Sequence, residues 1–112
     1  MEAISLARYR TRLEAELAEI EAGEALGAEG RKTVELDQQS VGRLSRMDAL
    51  QGQAMAKATQ ARRAARRSRI MAALARMDED EFGYCTDCGE EIAPKRLDLD
   101  PTMPTCISCA RG

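Results

Sequence analysis

Between residues 6 and 20 the apolar side chains fall at Leu6, Tyr9, Leu13, Leu17 and Ile20, in steps of 3, 4, 4 and 3. That recurrence draws a single stripe along a helix of period near 3.6. Gly23, Gly27 and Gly30 follow. Helix is costly at glycine, so the spacing predicts a break there. Residues 31–36 carry no clear pattern. A second stripe runs through Val41, Leu44, Met47, Leu50 or Gln51, Ala54, Ala58, Ala61 and Ala65, then Ile70, Leu74 and Met77. It predicts a helix starting at residues 37–40 and ending near Asp80. A helix of that length spans roughly 60 Å and cannot curl into a small ball.

A long helix with a narrow, alanine-rich stripe needs a partner, and the charge pattern supplies one. Residues 13–29 hold six acids and no base, whereas residues 49–77 hold seven bases and no acid. The expected fold is therefore mainly α. An antiparallel coiled-coil helical hairpin covers residues 1–81, its tip at about 27–40, and a small four-cysteine module covers 82–112. The helices could also associate between chains, but two complementary helices in one chain suffice, and a monomer is expected.

Composition narrows the class further. Hydrophobic residues make 44% of the chain and aromatics only 3%, so the apolar content is mostly Ala, Leu, Met and Ile. A β-sandwich or barrel would want the opposite balance. The core is correspondingly thin and needs a staple. All three prolines and all four cysteines lie beyond residue 82, a segment of turns with a short β-hairpin expected at 89–96. No run of about 18 apolar residues crosses a membrane. The first residues begin an acidic amphipathic segment rather than a signal peptide, so a cytoplasmic protein is expected. Net charge is −2, which leaves no whole-chain nucleic-acid footprint.

Cys85, Cys88, Cys106 and Cys109 form two Cys-x2-Cys pairs separated by 17 residues. That spacing is a strong metal signature. Each pair puts two thiolates on one side of an ion, and Gly89 permits the tight turn after the first pair. Four protein sulfurs fill a zinc tetrahedron and leave no open position, so one structural Zn²⁺ is expected and no catalytic metal. A redox Cys-x-x-Cys would sit as a lone pair in a βαβ setting, and two disulfides would need an oxidising compartment. With a closed metal site, no histidine and no nucleophile constellation, no enzyme is expected.

The run Asp80-Glu81-Phe82-Gly83-Tyr84-Cys85, followed by Cys88-Gly89, Glu91-Ile92, Arg96-Leu97, Pro101 and Cys106-Ile107-x-Cys109, resembles the DksA/TraR zinc-finger family. The segment from Val41 to Ala49 also looks like a run common in its short members. The resemblance implies a regulator that binds bacterial RNA polymerase rather than DNA. The hairpin enters the secondary channel, and acidic tip residues modulate open promoter complexes. Many members work with ppGpp at the polymerase interface, in the stringent response. A rigid hairpin suits a narrow channel, and a carboxylate at its end would perturb a site built around Mg²⁺.

Members of the family carry Asp-x-x-Asp-x-Ala at the tip. Here the nearest equivalent runs from Asp37 to Gly42, with Ser40 in place of the second acid and Gly42 in place of the alanine. Asp37 is the leading tip acid, with Glu35 and Asp48 behind it. Asp37 could equally be the N-cap of the second helix. Arg62, Arg66 and Arg69, spaced i, i+4, i+7, together with Lys95 and Arg96, are the candidate basic surface for polymerase or ppGpp. The plainer reading is a solvated face paired with acids of the first helix. Asp100 and Ala110 stand where ppGpp-using members tend to have bases. The alternative function is a zinc-ribbon protein whose basic helix lies along DNA phosphates.

Overall fold

The computed structural model describes residues 1–37 and 43–112, and for 28–37 and 43–45 it describes the backbone alone. Four helices follow in order: α1 (Ala3–Asp37), α2 (Arg43–Asp78), α3 (Pro94–Leu99) and α4 (Ile107–Arg111). Among the described residues the only β pairing is a single antiparallel bridge between Tyr84 and Glu91. The fold is mainly α, a helical hairpin followed by a four-cysteine module. The packing resolves into two compact units, one of residues 1–17 with 68–112 and one of residues 18–67.

In the first unit the core joins one face of α1 to one face of α2 and to the segment beyond. Tyr9, Leu13, Ile70, Ala73, Met77, Phe82, Ile92 and Leu97 are all buried. The rings of Tyr9 and Phe82 lie 5.7 Å apart and tilted by 48°, the offset geometry that aromatic pairs favour. Polar ties close the same unit. The Tyr9 hydroxyl donates to the Asp98 carboxylate. Arg12 donates to the backbone oxygens of Asp98 and Leu99 at 2.7 and 3.2 Å, satisfying carbonyls at the end of α3. Arg10 pairs with Asp78 at 2.7 Å.

The end of α2 has a defined geometry. Asp80 adopts a left-handed φ of +58°. The Glu81 N–H reaches the Arg76 oxygen at 2.8 Å and the Asp80 N–H reaches the Met77 oxygen at 3.3 Å. Those two bonds make a Schellman cap, which turns the chain toward the cysteines.

In the second unit Glu21 meets Arg67 at 3.8 Å, and the Gly23 oxygen accepts from Arg63 at 3.2 Å. One residue number rises as the other falls, so the helices run antiparallel within the chain. Here an acid of α1 meets a base of α2, in the sense that the charge pattern predicts.

Three sequence expectations need correction. The helix does not break at Gly23, Gly27 and Gly30, because α1 continues to Asp37. Gly23 lies on the packed face, where a Cβ would come within 3.1–3.3 Å of the Arg63 guanidinium. The glycine makes room for a large neighbour instead of ending the helix. The second correction is the register of α2 over residues 47–65; at Ile70 and Met77 the stripe is buried as expected. Met47 and Leu50 are largely exposed, as are Gln51, Ala54, Ala58, Ala61 and Ala65. The inward face is Ala49, Ala56, Thr59, Arg63 and Arg66, which continues in heptad-like steps into Ile70. Arginine stems take part in that packing, and a hydrophobic-only stripe cannot register them. The third is the β-hairpin at 89–96, which shrinks to the one Tyr84–Glu91 bridge because Pro94 starts α3. The expected contributions of Val41 and of the tip motif at 38–42 lie outside the described residues.

Candidate metal centre

The two cysteine pairs are brought together by different local devices. In the first, the Cys85 N–H donates to the Glu90 oxygen and the Gly89 N–H returns to the Cys85 oxygen, at 2.8 and 2.9 Å. That loop requires Gly89 to take φ +76°, a conformation that side chains other than glycine's rarely accept. Below it the Ile92 N–H donates to the Gly83 oxygen at 2.8 Å. In the second pair Cys106 is the N-cap of α4 and Cys109 sits one turn on. The Thr86 N–H donates to the Pro104 oxygen at 2.8 Å and fastens the two pairs to each other.

The result is a cluster in which the four sulfurs lie within 4.8 Å of one another. Cys88 and Cys106 sulfurs are 3.7 Å apart. Four sulfurs on a tetrahedron about zinc, each near 2.3 Å from it, are separated by about 3.8 Å. The donor set therefore fits a tetrahedral zinc in spacing as well as in chemistry. Cys85 is buried, Cys106 and Cys109 half-buried and Cys88 exposed.

The thiols are unlike one another. The backbone N–H of Cys88 is the largest influence on Cys85, holding its thiol down to about 6. Cys109 is pushed well above the ordinary thiol range, first by its hydrogen bond with Cys106 and then by those with Cys85 and Cys88. Crowded sulfurs cannot all ionise beside one another, and a divalent cation is what lets them do so. All four ligand positions come from protein, so the metal's contribution is cohesion rather than catalysis.

The other predicted residues are distributed. Arg69, Lys95 and Arg96 belong to the first unit, and Arg62 and Arg66 to the second. Arg69 pairs with Asp100 at 3.2 Å, and Arg96 donates to the Thr105 oxygen at 2.9 Å, beside Cys106. Arg62 is exposed and reaches Thr59 at 3.2 Å, while Arg66 is half-buried on the packed face. Asp48 is exposed on α2. Asp37 is the last residue of α1 and so not an N-cap of the helix that follows. The side chains of Asp37 and Glu35 lie outside the described residues.

Sequence reasoning missed the supports of the module. Asp100 accepts from the Thr102 hydroxyl and N–H at 2.7 and 3.0 Å, and Thr102 is buried. Arg76, at the end of α2, approaches the Thr102 oxygen at 3.5 Å. An Asp-x-Thr with Pro101 between is a local turn signal that sequence could have offered. The Tyr9–Asp98 bond joins residues 89 apart and left none.

Residues 80–112 match the family described as prokaryotic dksA/traR C4-type zinc finger. The RNA polymerase-binding transcription factor DksA of Haemophilus influenzae is 51% identical over 41 residues, 37% of this chain and 28% of that protein. The protein of the same name from Escherichia coli K12 is 42% identical over 41 residues, 37% of this chain and 27% of its own length. The matched stretch thus spans under a third of these relatives. The solved structure of transcription factor DksA2 from Pseudomonas aeruginosa has the same fold, with a TM-score of 0.84 and 20% identity over 98% of this chain and 83% of that one. Residues 80–112 thus carry a zinc finger of the dksA/traR C4 type, and the chain as a whole has the fold of the DksA2 structure.

Proposed function

We propose that the chain is a transcription regulator that binds bacterial RNA polymerase, with one structural Zn²⁺ held by Cys85, Cys88, Cys106 and Cys109. The observation that supports it most is a closed four-sulfur cluster on a two-helix hairpin, in a chain whose relatives are named for binding RNA polymerase. In this reading the hairpin enters the secondary channel, and Asp37, Glu35 and Asp48 bring carboxylates toward a Mg²⁺-dependent site. There they shift the stability of open promoter complexes. The basic set docks an acidic polymerase surface or holds ppGpp. Of that set Arg62 and Lys95 are the first to test, because Arg69 and Arg96 are engaged inside the module.

The test is retention of polymerase core by the immobilised, zinc-loaded chain with no DNA present. Transcription from a ribosomal RNA promoter with and without ppGpp follows. Retention of core and a change in open-complex lifetime are expected. Failure to retain core, together with binding to naked duplex that falls steeply with salt, would replace this reading with the DNA-binding one.

A further inference from the structure

Beside the cysteine cluster, and separate from it, the first unit contains a pocket of about 240 Å³ between the start of α1 and the chain around the Tyr84–Glu91 bridge. Tyr9, Phe82 and Ile92 are buried side chains of its lining, and Tyr84 is partly exposed. Two acidic residues, Glu2 and Glu91, also line it, and the one basic group among its lining residues is the Met1 α-ammonium, which leaves an acidic excess. Both acids are exposed. Among the described residues neither of them stands in an ion pair.

We propose that this pocket receives an arginine side chain presented by a partner polypeptide. The volume is below the roughly 300–1,000 Å³ of pockets that hold whole small ligands, so a single side chain suits it better than a nucleotide. A phosphate would meet two carboxylates against a single ammonium, a lining of net negative charge. A purely apolar side chain would strip water from those carboxylates and return nothing to them. An arginine satisfies both parts of the lining. Its stem packs on apolar surface, its flat guanidinium stacks on the partly exposed Tyr84 ring, and its fork of donors meets carboxylate oxygens. The proposal concerns a site apart from the zinc and from the tip carboxylates. It holds whichever polypeptide presents the side chain, so it stands or falls separately from polymerase binding.

The test is a titration of the zinc-loaded, isotope-labelled chain with a blocked Gly-Arg-Gly peptide, followed through backbone amide resonances. Saturable shifts at Gly83, Tyr84 and Ile92 are expected. The same peptide with citrulline, which keeps the shape and loses the charge, is expected to bind about three- to fivefold more weakly or worse. Glu91→Gln is expected to weaken the arginine peptide by a similar factor. Tyr84→Ala is the second variant, with unchanged shifts at residues 106–111 as the check that the cysteine cluster is intact. Equal binding of the citrulline peptide, shifts confined to other residues, or no saturable shift would overturn the proposal. Spermidine moving the same amides as strongly as the arginine peptide would overturn the choice of a polypeptide partner.

Discussion

Cys85 and Cys109 sit in one cluster yet their thiols are shifted in opposite directions, which makes each sulfur's removal informative. Replacing any one of the four by Ser leaves three thiolates and a hydroxyl that binds zinc poorly. Metal analysis of the reduced wild-type chain is expected to return one zinc per chain, and each Ser variant less than half of that. Acidification should release the ion, because protons compete for the thiolates. Helical signal should survive in the variants, since residues 18–67 pack on themselves. Tyr9 gives a second test at this scale. Burial, and then the hydrogen bond to Asp98, raise its hydroxyl above the ordinary value. The neutral form is the one the fold prefers. That stability is fully present below the unfolded value near pH 10 and is lost as pH rises through the folded value. In urea titrations Tyr9→Phe is expected to be about 1 kcal/mol less stable than wild type near neutral pH, for the lost hydrogen bond. The gap should shrink above about pH 10; a gap that stays constant would refute the linkage.

Among the elements, the glycines separate two roles that look alike in sequence. Gly52 lies inside α2 with open space where a Cβ would stand, whereas Gly83 has φ +90° and the Met1 methyl 2.9 Å from its added Cβ. Gly52→Ala is expected to raise stability by about 0.5–1 kcal/mol. Gly83→Ala is expected to lower it by more than that, through strain and through displacement of Met1. Thermal unfolding followed by circular dichroism reads both, and a Gly83→Ala chain as stable as wild type would refute the backbone argument. The same contrast explains what sequence could and could not say. The Leu6–Ile20 stripe, the opposite charges of the two helices and the cysteine spacing are local patterns, and each is realised in the structure. The outcome at Gly23 was not legible, because its cause is Arg63, 40 residues away in the chain. Nor was the inner face of α2, where arginine stems occupy positions that a hydropathy pattern assigns to solvent. Around the cysteines the ligands were legible and their supports were not. Tyr9, Arg12 and Asp98 act through contacts that join distant parts of the chain or through backbone oxygens, whereas the Asp100–Thr102 turn left a local signal.

For the whole molecule, the polymerase reading makes binding and activity separable. Docking is a property of extended surfaces, to which one tip carboxylate adds little area. In that reading its charge would matter only after binding, near a metal-dependent site where a small perturbation tips a balanced promoter complex. Asp37 ends α1, where a negative charge opposes the helix dipole, so Asp37→Asn should leave the fold as stable as before or slightly more so. The variant is expected to compete normally for polymerase core and yet fail to shorten the lifetime of open complexes. Arg62→Glu alters an exposed side chain whose bond to Thr59 is local. It is expected to do the reverse, losing competition for core while keeping the helical signal and the zinc. Arg66 is the poorer probe, because it is half-buried on the packed face and its reversal would disturb the hairpin itself. Competition binding and open-complex decay, measured on the same preparations, read the two effects separately. Wild-type activity in Asp37→Asn moves the role to Asp48, which is exposed on α2. If Asp48→Asn is then also fully active, carboxylates at the tip are not how this protein acts on polymerase.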